Sequence, residues 1–322
     1  MAFVTVAVPT HNRPELLPMT LRSVLWQRDV DLEVVVVDDG SSVDLAPIVE
    51  SLGDRRVRSI RQEPAQGVSV ARNRGAAAGE APWLAFVDDD DLWSPDKLAL
   101  QVAAAERAGT SWAYAGQVNV TLDLRVVGGA PPLAPRALVN RLSRLNAVPG
   151  GGSGVLVDAE VFHELGGFDP GYRHFADWDL WLRLARRDTP AWVPHPLIGY
   201  RIHAMNRSLD TEGMIAELDL LERRHGVEVD RVAFFRHVAR VSLRAGRNRD
   251  ALRYYLRAGR RMQASYLLRE FLPDAWRATS AAVRARAPGG RANGMLRSDG
   301  AEPKNLAWLD EGRSWISTLT EP

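Results

Sequence analysis

Leu32–Ser41 reads LEVVVVDDGS: four consecutive valines run into two aspartates, a glycine and a serine. A continuous β-branched run of this kind is a strand buried on both faces. An acidic, glycine-containing end is where such a strand stops. The same construction recurs on either side. Phe3–Pro9 (FVTVAVP) precedes it, and Trp83–Asp91 (WLAFVDDDD) follows, closing on four adjacent aspartates. Between these runs lie segments with helical spacing, Pro14–Gln27, Leu45–Gly53 and Val68–Gly79, and a further strand, Val57–Gln62. Strands alternating with helices predict an α/β fold, a mainly parallel sheet with helices on both faces. In such sheets ligands bind beyond the carboxyl ends of the strands. The polar residues fall there, at Pro9–Arg13, Asp38–Ser42 and Asp88–Asp91.

Further along, Ser94–Gly109 is an amphipathic helix with Ser94 as its expected N-cap and Pro95 at its first position. Residues 112–157 read as irregular strands with a Gly/Pro-rich loop. Within them Pro149–Gly154 (PGGGSG) is flexible or permits close backbone approach. Val161–Gly166 and Asp177–Arg187 are expected helices, and from about Met214 the chain reads as all-helical. These signals divide the chain into 1–210, with a first half to about residue 110 and a second half over 111–210, then a basic helical module, 211–284. Residues 285–322 read as a linker and tail, partly disordered, because 285–301 is rich in Arg, Gly and Pro.

The absence of cysteine among 322 residues excludes disulfides, zinc–thiolate sites, iron–sulfur clusters and cysteine nucleophiles. No apolar run approaches the roughly 18 residues of a membrane span. The opening segment has no basic start, so it does not read as a signal peptide, and the expected location is cytoplasmic. The net charge of +1 hides an asymmetry: −6 over residues 1–200 and +9 over 201–300. The basic part reads as the wet face of a helical cap or as a surface that meets anionic lipid head groups or a partner protein. No nucleic-acid-binding motif accompanies it.

Four adjacent carboxylates, Asp88–Asp91, repel one another, and a hard divalent cation relieves that repulsion. Asp88 and Asp90 point the same way if the segment is extended. Asp38 and Asp39 end a buried strand, where they either form a turn or accept hydrogen bonds from a base or ribose. Arg72 and Asn73 begin a helix near the same edge, within reach of phosphate or ribose.

Three stretches, VAVPTHNRPELL (Val6–Leu17), VVVDDGSSVD (Val35–Asp44) and GVSVARNRGAAAGEAPWLAFVDDDDLW (Gly67–Trp93), closely resemble the family 2 glycosyltransferases, in order and spacing as well as motif. The resemblance covers about residues 3–205 and implies the GT-A fold, followed here by a helical C-terminal module. The family's acidic DxD motif falls on Asp88, Asp89 and Asp90. By resemblance, Asp90 binds a Mg²⁺ or Mn²⁺ ion and Asp88 the ribose or the metal. The turn Pro9, Thr10, Asn12 and Arg13, with Asp38 and Asp39, holds the nucleotide base, and Arg72 and Asn73 lie beside the nucleotide. GGFDPGYRHFADWDLWLRLAR (Gly166–Arg186) matches the acceptor-side signature, with Ala176 where Glu is more usual. That makes Asp177 the candidate base and Asp179 the alternative. In Ile198–Ser208, Arg201 is a candidate diphosphate ligand and His203 a candidate third metal ligand or diphosphate donor.

The resemblance therefore implies inverting, metal-assisted transfer of a sugar from a nucleoside-diphosphate donor to an acceptor hydroxyl. Uridine is the favoured base, with thymidine or guanosine the alternatives. An anionic membrane surface is a further candidate partner, which would place the protein at the inner face of the membrane. A catalytically degenerate nucleotide-sugar-binding or scaffold protein is the rival, favoured by Ala176. A sugar-1-phosphate nucleotidyltransferase would need a Gly-rich phosphate loop after the first strand, where PTHNRPELL has no glycine.

Overall fold

A computed structural model describes residues 1–203, 210–244, 247–259 and 306–319. The chain divides into two compact units. One comprises residues 1–142, 146–202 and 302–322, the other 143–145 and 203–301.

The first unit is built on one sheet. Its first half is parallel, in the order β3 (Val57–Gln62), β2 (Asp31–Asp39), β1 (Phe3–Thr10), β4 (Trp83–Phe86). Val6 of β1 lies between Val34 and Ala85, so the strand ends that carry Thr10, Asp38 and Val87 align at one edge. The valine run of β2 divides its side chains between two faces. Val34 and Val36 pack with α1 (Leu17–Leu25), α2 (Ala46–Glu50) and α4 (Lys97–Ala108), through Leu17, Leu21, Val49, Leu98 and Val102. Val35 and Val37 pack on the opposite face against Ala71 of α3 (Val68–Ala77). Burial on both faces explains why the run does not alternate with polar residues.

The second half of the sheet is mixed. It continues from β4 through β8 (Val155–Asp158), β6 (Trp112–Val120) and β9 (Ala191–Arg201) to β5 (Leu92–Trp93), and β7 (Val126–Ala130) pairs with β6. β8 is antiparallel to both β4 and β6, while β9 is parallel to β6. Between β7 and β8 the chain passes through α5 (Pro135–Leu142) and a 3₁₀ turn at Gly151–Gly154, then continues into α6 (Ala159–Glu164). α7 (Ala176–Arg187) is anchored by its tryptophans. Trp181 stacks on Trp112 with ring centroids 6.2 Å apart, and Trp178 Nε1 donates to the Leu142 carbonyl at 2.8 Å.

Three expectations are corrected. The acidic quartet is a turn, closed by the Asp91 amide donating to the Asp88 carbonyl at 3.0 Å, and not an extended segment. Ser94 is buried one turn ahead of α4, whose N-cap is Asp96. The segment expected to be tail contains a helix, Leu306–Thr318, the last in chain order.

In that second unit α8 (Thr211–His225), α9 (Arg231–Arg244) and α10 (Asn248–Gly259) follow one another. Phe235 of α9 stacks on Tyr254 of α10 at 6.5 Å, and Val238, Ala239, Ala251, Tyr255 and Ala258 are buried with them. The expected linker, 285–301, lies outside the described residues. The last helix, α11 (Leu306–Thr318), belongs to the first unit. Its Trp308, Leu309, Trp315 and Ile316 cover Leu92, Val118 and Val120 of the sheet. Trp315 Nε1 donates to the Pro196 carbonyl at 2.7 Å. One face of α11 is therefore core, which the Arg/Gly-rich approach to it obscured.

Trp315→Ala removes a buried indole and orphans a carbonyl, so it should destabilise the first unit by about 3–5 kcal/mol. Arg313→Ala on the exposed face should stay within about 0.5 kcal/mol of wild type. Urea unfolding of the two variants measures the difference, and equal stabilities would show that α11 contributes no core.

Candidate active site

The acidic turn after β4 is buried where a surface turn would be solvated. Asp89, Asp90 and Asp91 are 4%, 5% and 1% exposed, and Asp88 is the open member, with 38% of its side chain accessible. Buried carboxylates in a low dielectric need partners. Three arginines from distant parts of the sequence surround the turn, Arg13 on its buried carboxylates, Arg72 on the open one and Arg201 on its backbone. Arg13, from the loop after β1, donates to Asp89 Oδ1 at 2.7 Å and also bonds Asp90. Arg72 of α3 pairs with Asp88. Arg201, at the end of β9, donates to the Asp90 backbone carbonyl, to the Leu16 carbonyl at 3.0 Å and to Thr20 Oγ1 at 2.7 Å. Thr10 Oγ1 adds a bond to Asp89 Oδ2 at 2.7 Å.

One carboxylate oxygen from each of Asp88, Asp90 and Asp91 lies within 4.8 Å of the other two. Three carboxylates are a hard donor set that suits Mg²⁺ or Mn²⁺, so the residues present fit such an ion. The ligand group differs from the one expected. Asp91 joins it, Asp89 is committed to Arg13 and Thr10, and His203 is not a member. His203 follows β9 at the start of the second unit.

The loops after β1 and β2 are laced together. Asn12, at φ +55°, donates its amide to Ser41 Oγ at 2.9 Å, and its side chain accepts from the Ser42 amide at 2.7 Å. Asp38 accepts from the Ser41 amide at 2.9 Å and from Arg61 at 2.7 Å. Asp39 accepts from Gln62 Nε2 at 2.6 Å and from the Gln66 and Gly67 amides at 2.7 and 2.8 Å. Both aspartates, expected to face the base, are buried and bonded to the chain itself. Pro9 and Thr10 end β1 directly beside them.

Asp177 opens α7 and is partly accessible. Its Oδ1 accepts from the Trp178 amide at 2.7 Å and its Oδ2 from Asn146 Nδ2 at 3.2 Å. The Gly151–Gly154 turn runs against it. A side chain on Gly151, at φ +50°, would meet Asp177 Oδ2 at 3.1 Å, and one on Gly152 would meet Arg72 Nη2 at 2.8 Å. Glycine there lets the backbone approach both the candidate base and the arginine of the acidic turn. Burial pushes the Asp177 carboxyl above the usual range, opposed by Arg72, the Trp178 amide and Asn146.

Three candidate site residues, the alternative base Asp179 and the expected ligands Asn73 and Arg201, bond to the protein itself. Asp179 is 3% exposed and pairs with Arg183 at 2.5 Å, and Arg183 also grips the Leu165 and Gly167 carbonyls. Asn73 spends both amide atoms on the backbone of Phe168, at 2.7 and 2.9 Å. The Arg201 guanidinium, expected at a diphosphate, points inward and holds the backbone under the acidic turn. Conversely, Ser153 and Asn146 were missing from the sequence reading. Ser153 is the lone hydroxyl in a glycine run, and that was the available signal.

The buried carboxyls make stability depend on pH. Burial drives Asp89 up to about 6, against the pull of Arg13, and Asp91 goes well above the usual range for the same reason. A raised carboxyl means the folded state keeps a proton that the unfolded state releases. The contribution is present below about pH 4 and is lost as pH rises through about 6, worth on the order of 3 kcal/mol for such a shift. In chelator, Tm should fall between about pH 5 and about pH 7.5, and Mn²⁺, which favours the ionised forms, should flatten that slope. A Tm that rises across the window in chelator would contradict this account of the turn.

Comparison with known proteins agrees with this geometry. Residues 5–165 match the model of glycosyl transferase family 2. An uncharacterized glycosyltransferase of Haemophilus influenzae is 27% identical over 212 residues, spanning 65% of this chain and 71% of that one. The Escherichia coli UDP-Glc:alpha-D-GlcNAc-diphosphoundecaprenol beta-1,3-glucosyltransferase WfgD is 27% identical over 184 residues, 57% of this chain and 70% of its own. The crystal structure of S. aureus TarS 1-349 in complex with UDP shares the fold, with a TM-score of 0.53 at 16% identity over 99% of this chain and 91% of that one. With half of its length inside the family model and its acidic turn at the carboxyl edge of a GT-A sheet, the chain belongs to glycosyl transferase family 2.

Proposed function

We propose that this glycosyltransferase moves a sugar from a nucleoside-diphosphate donor to an acceptor hydroxyl in one inverting displacement, with Asp177 as the base. The observation that carries the reading is the juxtaposition of the acidic turn, Arg72 and Asp177 around the Gly151–Gly154 turn. Asp88, Asp90 and Asp91 would hold a divalent cation, which when bound offsets the charge that develops on a diphosphate leaving group. Asp177 takes the proton of the acceptor hydroxyl during attack. Asn146 and the Trp178 amide fix its carboxylate, and its raised pKa brings it closer to the operating range of a base. Uridine is the favoured donor base, supported by the UDP-bound TarS neighbour and the UDP-glucose donor in the name of WfgD; thymidine and guanosine donors are the alternatives.

Donor hydrolysis tests this without knowledge of the acceptor, because water can replace the hydroxyl. Purified protein with Mn²⁺ and a UDP-sugar should release UDP, and Asp177→Asn should lower kcat by about 10²–10⁴-fold with little change in KM. Asp179→Asn should chiefly lower Tm, since its partner Arg183 is structural. Absence of turnover with UDP-, dTDP- and GDP-sugars alike would favour a degenerate binding protein.

The acceptor reading extends to a lipid-linked hydroxyl at an anionic membrane. Support comes from the diphosphoundecaprenol substrate named for WfgD and from α10, which exposes Leu252 and Leu256 beside Arg249, Arg253 and Arg257. Among the described residues no helix is long and apolar enough to cross a membrane, so the association would be peripheral, at the cytoplasmic leaflet. Each arginine near anionic lipid contributes about 1 kcal/mol. The full chain should co-sediment with phosphatidylglycerol vesicles at low salt and not with phosphatidylcholine vesicles. Replacing the three arginines with serine should weaken that binding at least tenfold. Sedimentation that is unchanged by the triple substitution would remove α10 from the contact.

A further inference from the structure

Ser153 is fully buried in the 3₁₀ turn, 62 residues from the acidic turn it touches. Its hydroxyl has one proton, which it donates to Asp91 Oδ2 at 2.6 Å. Ser153 Oγ in turn accepts the Asp88 backbone N–H at 3.0 Å. A single side-chain atom therefore fixes the orientation of one carboxylate of the candidate cation site and the backbone that carries another.

The hydroxyl is itself held from behind. The Ser153 amide donates to the Gly150 carbonyl at 2.9 Å, and its carbonyl accepts from Trp93 Nε1 at 3.0 Å. The next carbonyl, of Gly154, accepts from Gln101 Nε2 at 2.9 Å. Gln101 Oε1 in turn accepts from Lys97 Nζ at 2.7 Å, and that nitrogen lies 3.9 Å from the centroid of the Trp93 ring. Lys97 is 0% exposed. It is one of only two lysines in the chain, and it is spent in the core, beneath a turn. Trp93 and Gln101 thus restrain the backbone that carries Ser153, and Lys97 holds Gln101 in place.

We propose that Ser153 is a positioning residue for the cation site, setting its affinity by holding Asp91 and Asp88 in the arrangement in which they converge with Asp90. The inference rests on the cation reading above. Partners that orient metal ligands typically account for about 10–100-fold in affinity. A purely structural hydroxyl would account for stability alone.

The control is Ser23. It is equally buried, donates to the Thr20 carbonyl at 2.7 Å and accepts from the Trp93 amide at 3.2 Å, but touches no carboxylate. Mn²⁺ titration of the full chain, followed by the electron paramagnetic resonance of the free ion well below Tm, gives the affinity. Ser153→Ala should weaken Mn²⁺ binding about 10–100-fold, while Ser23→Ala lowers Tm comparably and leaves the affinity within about twofold. If Ser153→Ala does not fold, Ser153→Cys, a somewhat larger side chain that retains a weaker donor, should give a smaller loss in the same direction. Wild-type affinity in the Ser153 variant that folds would overturn the positioning role and leave the cation reading standing. A wild-type chain that takes up no Mn²⁺ would overturn both.

Discussion

Repulsion among four adjacent carboxylates is the constraint around which this unit is organised. Three of the four are buried, and the arginines that balance the quartet come from all parts of the sheet: Arg13 after β1 on the buried carboxylates, Arg72 in α3 on Asp88, and Arg201 at the end of β9 under the turn. Each arginine is placed by an element that has to be folded before it can arrive. The valine-rich strands fix the carboxyl edge, the edge brings the loops together, and the loops deliver the guanidiniums. Charge neutralisation therefore depends on the assembled sheet, and the open carboxylate, Asp88, is left at the surface of an otherwise closed network.

The parts of the fold that were legible in the sequence are those specified by local pattern. A buried parallel strand writes itself as a continuous β-branched run, and β1, β2 and β4 could be read for that reason. The mixed half could not, because its strands are short or bulged and the register of β6 with β9 shifts at Gly116. The acidic turn was legible as chemistry but not as geometry: nothing local distinguishes Asp89, spent on Arg13, from Asp91, which joins the ligand group.

Asn73, Asp179 and Arg201 illustrate the limit more sharply. Each occupies a motif where a polar side chain reads as a ligand. Each is satisfied by the protein, Asn73 by a backbone segment 95 residues away. A sequence displays the donor and hides the acceptor. Ser153 is the reverse case, a residue whose glycine neighbours suggested flexibility and whose tertiary partners hold it rigid. α11 was hidden for a different reason, since its tryptophans follow a stretch whose composition reads as linker.

The position of α11 makes the first unit discontinuous along the chain. Its sheet is complete at Arg201, yet the helix that covers Leu92, Val118 and Val120 begins only at Leu306. The second unit is therefore an insertion, bounded on both sides by segments of the unit that carries the candidate site. During synthesis the sheet emerges with that apolar surface uncovered, and it stays so until the inserted helices have been made. A shortened chain that ends within or before the helical unit inherits the same uncovered surface permanently. Isolating the two units from each other calls for excision and rejoining of the chain, because cutting it anywhere between them removes a wall from the first.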